Sequence, residues 1–289
     1  MSILQRTTAR IGHMGGAYAR LLSKTYVHPR HFGTKVLFPT CCEDDFEPKL
    51  RLGFRYSPYS VDFADITEEN LRDKEYNLFV PLTLEDIEYL APYRHLLKDN
   101  PLPIPSWESI QICDDKETFN NTLPEMGYAE WIPKVDSSLK PPYILKKKVD
   151  YWGANTYLVD TDEKVELYQD KISSPEYFMQ QVIPGTKEYA THFIIKNKQV
   201  VCWLNVEYTF ENELPIKGKS PILYKKFVDC PYLDEFTDML NGIGFEGLCC
   251  FNYKVWHNQP YMIEINPRFG NSLMPFFFSF VPDIMETVR

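Results

Sequence analysis

The first 42 residues contain no acidic side chain. They hold Arg6, Arg10, Arg20, Lys24, Arg30 and Lys35, a charge of +6. The rest of the chain has 25 basic and 40 acidic residues, a net −15, and the 289-residue whole carries −9. An acidic body is a poor partner for nucleic acid or an anionic membrane, so neither is expected to bind. There is also no apolar run of about 18 residues, which excludes a transmembrane helix. The most apolar stretch, Met274 to Val281, is far too short. No secretory signal is visible in residues 1–25, where Arg, Thr, Ser and Gly interrupt the apolar residues. The basic start reads as a partly helical segment of the folded protein.

No C-x-x-C occurs among the seven cysteines, Cys41, Cys42, Cys113, Cys202, Cys230, Cys249 and Cys250. An odd count with two adjacent pairs suits neither a disulfide framework nor a zinc site. Buried reduced thiols in a cytoplasmic protein are expected instead. His28-Pro-Arg-His31 reads as a loop, because the proline spoils a shared helical face. No Ser/His/Asp or Cys/His constellation and no internal repeat is apparent.

The elements that are present alternate. Residues 35–39 and 76–81 read as strands, 67–73 as a helix starting at Thr67, and Thr83 as the cap of a helix that Pro92 ends or kinks. This predicts an α/β unit with parallel strands. Asn100-Pro-Leu-Pro-Ile-Pro105 is a proline-rich break, so the expected units are residues 1–104 and 105–289. Beyond it come a helix from Asp114 or Asp115 to Met126, strands at 141–146, 156–159 and 178–183, and two strands around the turn Lys196-Asn197-Lys198. A helix over 233–240, stopped by Asn241-Gly242, precedes strands 247–255 and 261–265. Those last two are joined by His257-Asn-Gln-Pro260.

The chemistry concentrates in this final hairpin. Strand alternation puts Glu264 and Asn266 on one face, and Asn252 on the preceding strand can oppose them. Such hard oxygen donors suit magnesium, with phosphates filling its other positions. Arg268 follows past a strand-ending proline, where a fixed guanidinium can hold a carboxylate or phosphoryl group.

The string Glu264-Ile-Asn-Pro-Arg-Phe-Gly-Asn-Ser272 resembles the ATP-grasp superfamily, in its carbamoyl-phosphate-synthase-like or carboxylate–amine ligase branch. The resemblance covers about residues 105–289. It implies the ATP-grasp fold, two α+β subdomains clamping ATP, preceded here by a small α/β domain. It also implies roles for individual residues. Asn252, Glu264 and Asn266 would be the metal ligands for Mg2+, with Mn2+ as the alternative, although an acid or Gln is commoner at the first of them. Lys116, opening a helix, would help bind ATP, and Lys146, ending a strand, would contact its phosphates. The backbone around Gln181, Val182 and Ile183 would hold the adenine edge, where the family often has Glu at the Gln181 position. Glu188, an acceptor-only carboxylate, would take the ribose hydroxyls. Gly153 would help cradle phosphate, in a loop (Asp150 to Thr156) with a single glycine where the family is often glycine-rich. Arg268 and Lys146 would be the catalytic charges. Asn271 and Ser272 would line the acceptor pocket.

The stretch from Asn205 to Asp229 reads as an insertion holding Glu207, Lys217, Lys219, Lys225 and Lys226. From it Lys225 or Lys226 would reach the phosphates. The implied activity joins a small carboxylic acid to an amine with ATP, through an acyl phosphate, releasing ADP and phosphate. An ATP-grasp kinase and a turnover-deficient nucleotide-binding regulator are the alternatives. A homo-oligomer is left open.

Overall fold

The computed structural model describes residues 15–40, 45–150 and 153–288. Arg6, Arg10, Cys41, Cys42, Tyr151 and Trp152 lie outside the described residues. The described part of the basic segment opens with helix α1 (Gly15–Thr25), whose Tyr18 donates to the Gly53 carbonyl at 2.8 Å. The His28–His31 segment is not an open loop. Pro29–His31 forms a 3-10 turn, and Arg30 and His31 both meet Glu286. The described part of the basic segment thus packs on the acidic body. This suits proline at the first helical position, where no N–H is needed.

Strand β1 (Lys35–Pro39) is followed by α2 (Phe46–Phe54), β2 (Ser60–Ala64), α3 (Glu68–Arg72), β3 (Leu78–Phe79) and α4 (Leu84–Tyr89). The strands form a parallel sheet in the order β2-β1-β3. Thr67 caps α3, and Thr83 with Asp86 makes a reciprocal capping box on α4. Strand β3 is shorter than expected. Asn100 takes over its outer edge, accepting from Phe79 N–H and donating to Phe79 C=O.

Past the proline-rich break, α5 (Trp107–Asp114) was not anticipated. Ser106 caps it by accepting from Ser109 N–H. Asp115 caps α6 (Lys116–Leu123), and Gly127 turns the chain with φ +95°. Strands β4 (Tyr143–Lys147) and β5 (Thr156–Val159), helices α7 (Asp162–Leu167) and α8 (Gln169–Ile172), and β6 (Tyr177–Gln181) form a small antiparallel layer ordered β5-β4-β6. The main sheet adds β7 (Lys187–Lys196), β8 (Gln199–Phe210), β9 (Ile222–Val228), α9 (Leu233–Gly242), β10 (Gly247–Trp256) and β11 (Gln259–Asn266). Its order is β11-β10-β7-β8-β9. The supposed insertion is therefore the end of β8, a loop and an added strand, β9. Helix α9 runs through Asn241-Gly242, and the left-handed residue that follows is Gly244. The β7–β8 and β10–β11 turns use Asn197-Lys198 and His257-Asn258, all with positive φ, which matches the strand twist.

Alternation along β7 divides the apolar residues between the two faces of the main sheet. Ile194, with Leu248 of β10, joins Val36, Phe38, Phe54, Phe269 and Phe276 to Phe278 in one core. That core runs across the break at residue 104 and includes the chain's last helix, α10 (Val281–Glu286). Phe193 and Phe251 face Phe119, Phe236 and Leu240 of α6 and α9 on the other side. The small layer keeps its own cluster of Tyr143, Leu145, Val159 and Met179. The described cysteines, Cys113, Cys202, Cys230, Cys249 and Cys250, are free and buried. Among the described residues no helix is long and apolar enough to cross a membrane.

Candidate functional site

A cleft partly open to solvent lies between the small layer and the main sheet. Its lining includes Lys116, Lys146, Gly153, Gln181, Val182, Ile183, Glu188, Asn252, Glu264, Asn266, Arg268, Asn271 and Ser272. Residues up to 156 positions apart (Lys116 and Ser272) are thus brought to one place.

Register explains the hairpin's share. Asn252 pairs directly with Glu264, beside a bulge in β11 at Ile263. Glu264 Oε1 accepts from Asn252 Nδ2 at 2.7 Å and from Asn266 Nδ2 at 3.0 Å. Arg268 reaches Asn266 Oδ1 at 3.4 Å. Burial pushes the Glu264 carboxyl up. Lys116, the Asn266 hydrogen bond, Lys146 and Lys217 outweigh that and hold it down at about 2.

Lys116 stands in the first turn of α6, where its backbone N–H bonds the Lys148 carbonyl and its Nζ donates to Asp150 O at 3.2 Å. Lys146 is buried at the end of β4, and burial pushes its ammonium down to about 8. Asp150 shapes the following loop by accepting from Asn155 N–H at 2.8 Å and from Asn155 Nδ2 at 2.9 Å. Gly153 holds φ +64°, so a side-chain carboxylate and one glycine fix this turn.

At the hinge, Gln181 is engaged with Lys134 on both sides: its N–H donates to Lys134 O at 2.7 Å and its Oε1 accepts from Lys134 N–H at 3.2 Å. Gln181 N–H and Oε1 are therefore both engaged within the protein. The neighbouring Gln180 is buried beside Asn120. Glu188 is buried, and desolvation raises its carboxyl despite Lys217 and Lys254 nearby.

Lys225 is a correction. It pairs across from Tyr208 in the β8–β9 ladder, lies over the Tyr208 ring at 4.7 Å, and does not line the cleft. The lysine of that region that does so is Lys217, on the β8–β9 loop. Its Nζ donates to Asn252 Oδ1 at 2.6 Å and lies 3.4 Å from Glu188 Oε1. Lys254, His192 and Tyr208 were also missed. Strand alternation could have found two of them, since Lys254 is two residues past Asn252 and His192 four past Glu188. Lys254 is buried, donates to Ile183 O at 2.6 Å, and is pushed down by burial to about 8.

At the far end, Lys49 of α2 donates to Asn271 Oδ1 at 2.8 Å. His192 Nε2 lies 2.7 Å from Ser272 Oγ, a Ser/His pair that sequence spacing does not disclose. Its Nδ1 has no hydrogen-bond partner among the described residues, so no acid orients it. Burial, with Lys217 adding to it, pushes the ring down to about 3. With no acid partner among the described residues, the His192–Ser272 pair lacks the third member of a nucleophilic triad.

These lysine values have a measurable consequence. A polyphosphate beside Lys146 restores its proton, so nucleotide binding is expected to take up protons from buffer near pH 8.5. The uptake fades toward pH 6.5, where the ammonium is already charged. Calorimetry in buffers of different ionisation enthalpy reads this directly, and equal heats at pH 8.5 would rule it out.

No protein-family model matches the chain. A carbamoyl phosphate synthase large chain from Thermoplasma volcanium is 25% identical over 194 residues, covering 57% of this chain. The chain spans only 18% of that curated relative's length. Among solved structures, D-alanine–D-alanine ligase from Bacillus anthracis superposes with a TM-score of 0.57 at 12% identity, covering 89% of this chain and 97% of that one. L-amino acid ligase from Bacillus licheniformis gives 0.55 at 13% identity, covering 83% and 68%. A biotin carboxylase–ATP-type complex from Campylobacter jejuni gives 0.54 at 14% identity, covering 94% and 68%.

Proposed function

Starting from the ATP-grasp fold that these likenesses establish, we propose that the chain is a Mg-ATP-dependent carboxylate–amine ligase. A substrate carboxylate oxygen attacks the γ-phosphorus, the bond to the β-γ bridging oxygen breaks, and ADP leaves. The amine nitrogen then attacks the acyl carbon of the acyl phosphate. Phosphate departs, the amine loses a proton, and an amide forms.

The observation that carries this reading is the charge arrangement around one carboxylate. Glu264 sits among Lys116, Lys146 and Lys217, with Asn252 and Asn266 bonded to it. Such a set suits phosphoryl transfer, which asks the protein for position and neutralisation rather than covalent chemistry. The donor types fit magnesium: a carboxylate and amide oxygens are hard donors that leave room for phosphate ligands. Glu264 and Asn266 would hold the ion, which would supply charge neutralisation at the phosphates when bound, while the Asn252 oxygen accepts from Lys217. Lys146 and Lys116 neutralise phosphate oxygens, and Arg268 holds the acyl group or its phosphate. Glu188 accepts from the ribose hydroxyls, and Val182 with Ile183 borders the base. Neutral His192 and Ser272 sit where the second substrate would enter.

A phosphate-release assay with pooled acids and amines tests the reaction class. ADP and phosphate formed only with both pools supports the ligase. ADP without phosphate indicates a kinase, and neither product indicates a binding protein. Lys146→Ala is expected to weaken nucleotide binding at least about tenfold, the loss of one charge-assisted contact. Calorimetry showing unchanged affinity would remove Lys146 from the phosphate site.

A further inference from the structure

The cleft is unbalanced in charge. Lys116, Lys146, Lys217, Lys254 and Arg268 line it against only two carboxylates, Glu188 and Glu264. Asp114 acts on Lys116 and Arg268 from outside that lining. The expected metal-ligand set holds a single carboxylate, because Asn252 is neutral. Among the described residues no group of three His, Cys, Asp or Glu is placed to hold a metal ion. A two-metal clamp needs anionic ligands to hold both ions against their mutual repulsion. Of the two carboxylates lining this cleft only Glu264 belongs to the hairpin, and Glu188 is faced by Lys217.

Lys217 sits where the missing charge would be balanced. Its ammonium touches Asn252 Oδ1 at 2.6 Å and faces Glu188 at 3.4 Å, over the Tyr208 ring at 4.6 Å. The loop that carries it is anchored rather than free. Lys219 donates to Thr156 O at 2.7 Å, and the Lys217 carbonyl lies against Gly153, 3.4 Å from where a Cβ would stand. The ammonium is therefore delivered to the junction of the expected ribose and metal positions by contacts with the phosphate loop itself.

Resting on the nucleotide-binding reading above, we infer that Lys217 is a fixed counter-ion in place of a second divalent metal. The cleft then binds nucleotide with one metal ion, and binds no divalent ion alone. The single ion arrives with the nucleotide, whose phosphates balance the excess of lysine charge.

Equilibrium dialysis of the full chain with Mn2+ and the β,γ-imido analogue of ATP tests this by counting bound manganese and bound nucleotide in the same sample. One Mn2+ per bound nucleotide is expected, with none retained when nucleotide is omitted. The Lys217→Met/Asn252→Asp double variant replaces the ammonium by an apolar chain and restores a carboxylate. Its ratio is expected to rise to two, while Asn252→Asp alone stays at one because Lys217 pairs with the new acid. Two ions per nucleotide in the unmodified chain, manganese retained without nucleotide, or a folded double variant still at one would each overturn the inference. The count on the unmodified chain decides even if the double variant does not fold. Those outcomes leave nucleotide binding intact, whereas an analogue that does not bind at all overturns both this inference and the proposed function.

Discussion

Glu264→Gln is expected to lower ATP turnover by about a thousand-fold or more, the scale seen when a key electrostatic group is removed from a transition state. The chain should still fold and melt cooperatively. Glutamine matches the shape of the carboxylate and keeps one oxygen to accept from Asn252 or Asn266. What it removes is the anion on which Lys116, Lys146 and Lys217 converge. A second signature comes from acid titration. The Glu264 carboxyl is held at about 2 against an ordinary 4.5. Such a depressed carboxylate stabilises the fold above pH 4.5, and that stability is lost as pH falls toward 2. The variant should therefore show a shallower loss of stability across this window. Full turnover in a cooperatively melting variant, measured by ADP formation, would remove Glu264 from the metal site.

Gly53→Ala is expected to cost about 2–3 kcal/mol of stability, at the upper range of overpacking effects. A Cβ on Gly53 would stand 2.7 Å from the Pro275 carbonyl oxygen and 2.9 Å from its Cα. These are backbone atoms, so no side chain can swing aside. The Gly53 carbonyl also accepts from Tyr18, which limits any shift of α2. The urea midpoint should fall with an unchanged slope. An unaltered midpoint would mean that α2 does not depend on this close approach.

The parts of the site that the sequence discloses are those governed by short-range regularity. Period-two alternation places Glu264 and Asn266 on one face, and a short turn brings Asn252 opposite. Asp115, Thr67 and Thr83 announce helix starts because their oxygens satisfy first-turn N–H groups. Lys217 follows neither rule. It sits in a loop whose course depends on β9, and β9 itself reads as a basic surface stretch because Lys225 and Lys226 interrupt its apolar pattern. Helix α5 escaped notice for a similar reason: Ser109, Gln111 and Cys113 blur its apolar face. The His192–Ser272 contact spans eighty residues and arises only once β7 packs beside the segment after β11.

The cleft lies where the apolar contacts divide. The parallel sheet, the main sheet and the phenylalanine-rich segment after Phe269 share one core and form one jaw of the cleft. The small layer, with its separate cluster, is the other jaw. Polar ties join the two: Lys116 N–H to Lys148 O, Gln181 N–H to Lys134 O, and Lys219 to Thr156 O. Hydrogen bonds of this kind contribute about 1 kcal/mol each, within reach of thermal opening, whereas prying apart a phenylalanine core is not. Opening the cleft would therefore work against these hydrogen bonds and the Lys148–Glu117 ion pair, and would leave the β10–β11 hairpin in place within the main sheet.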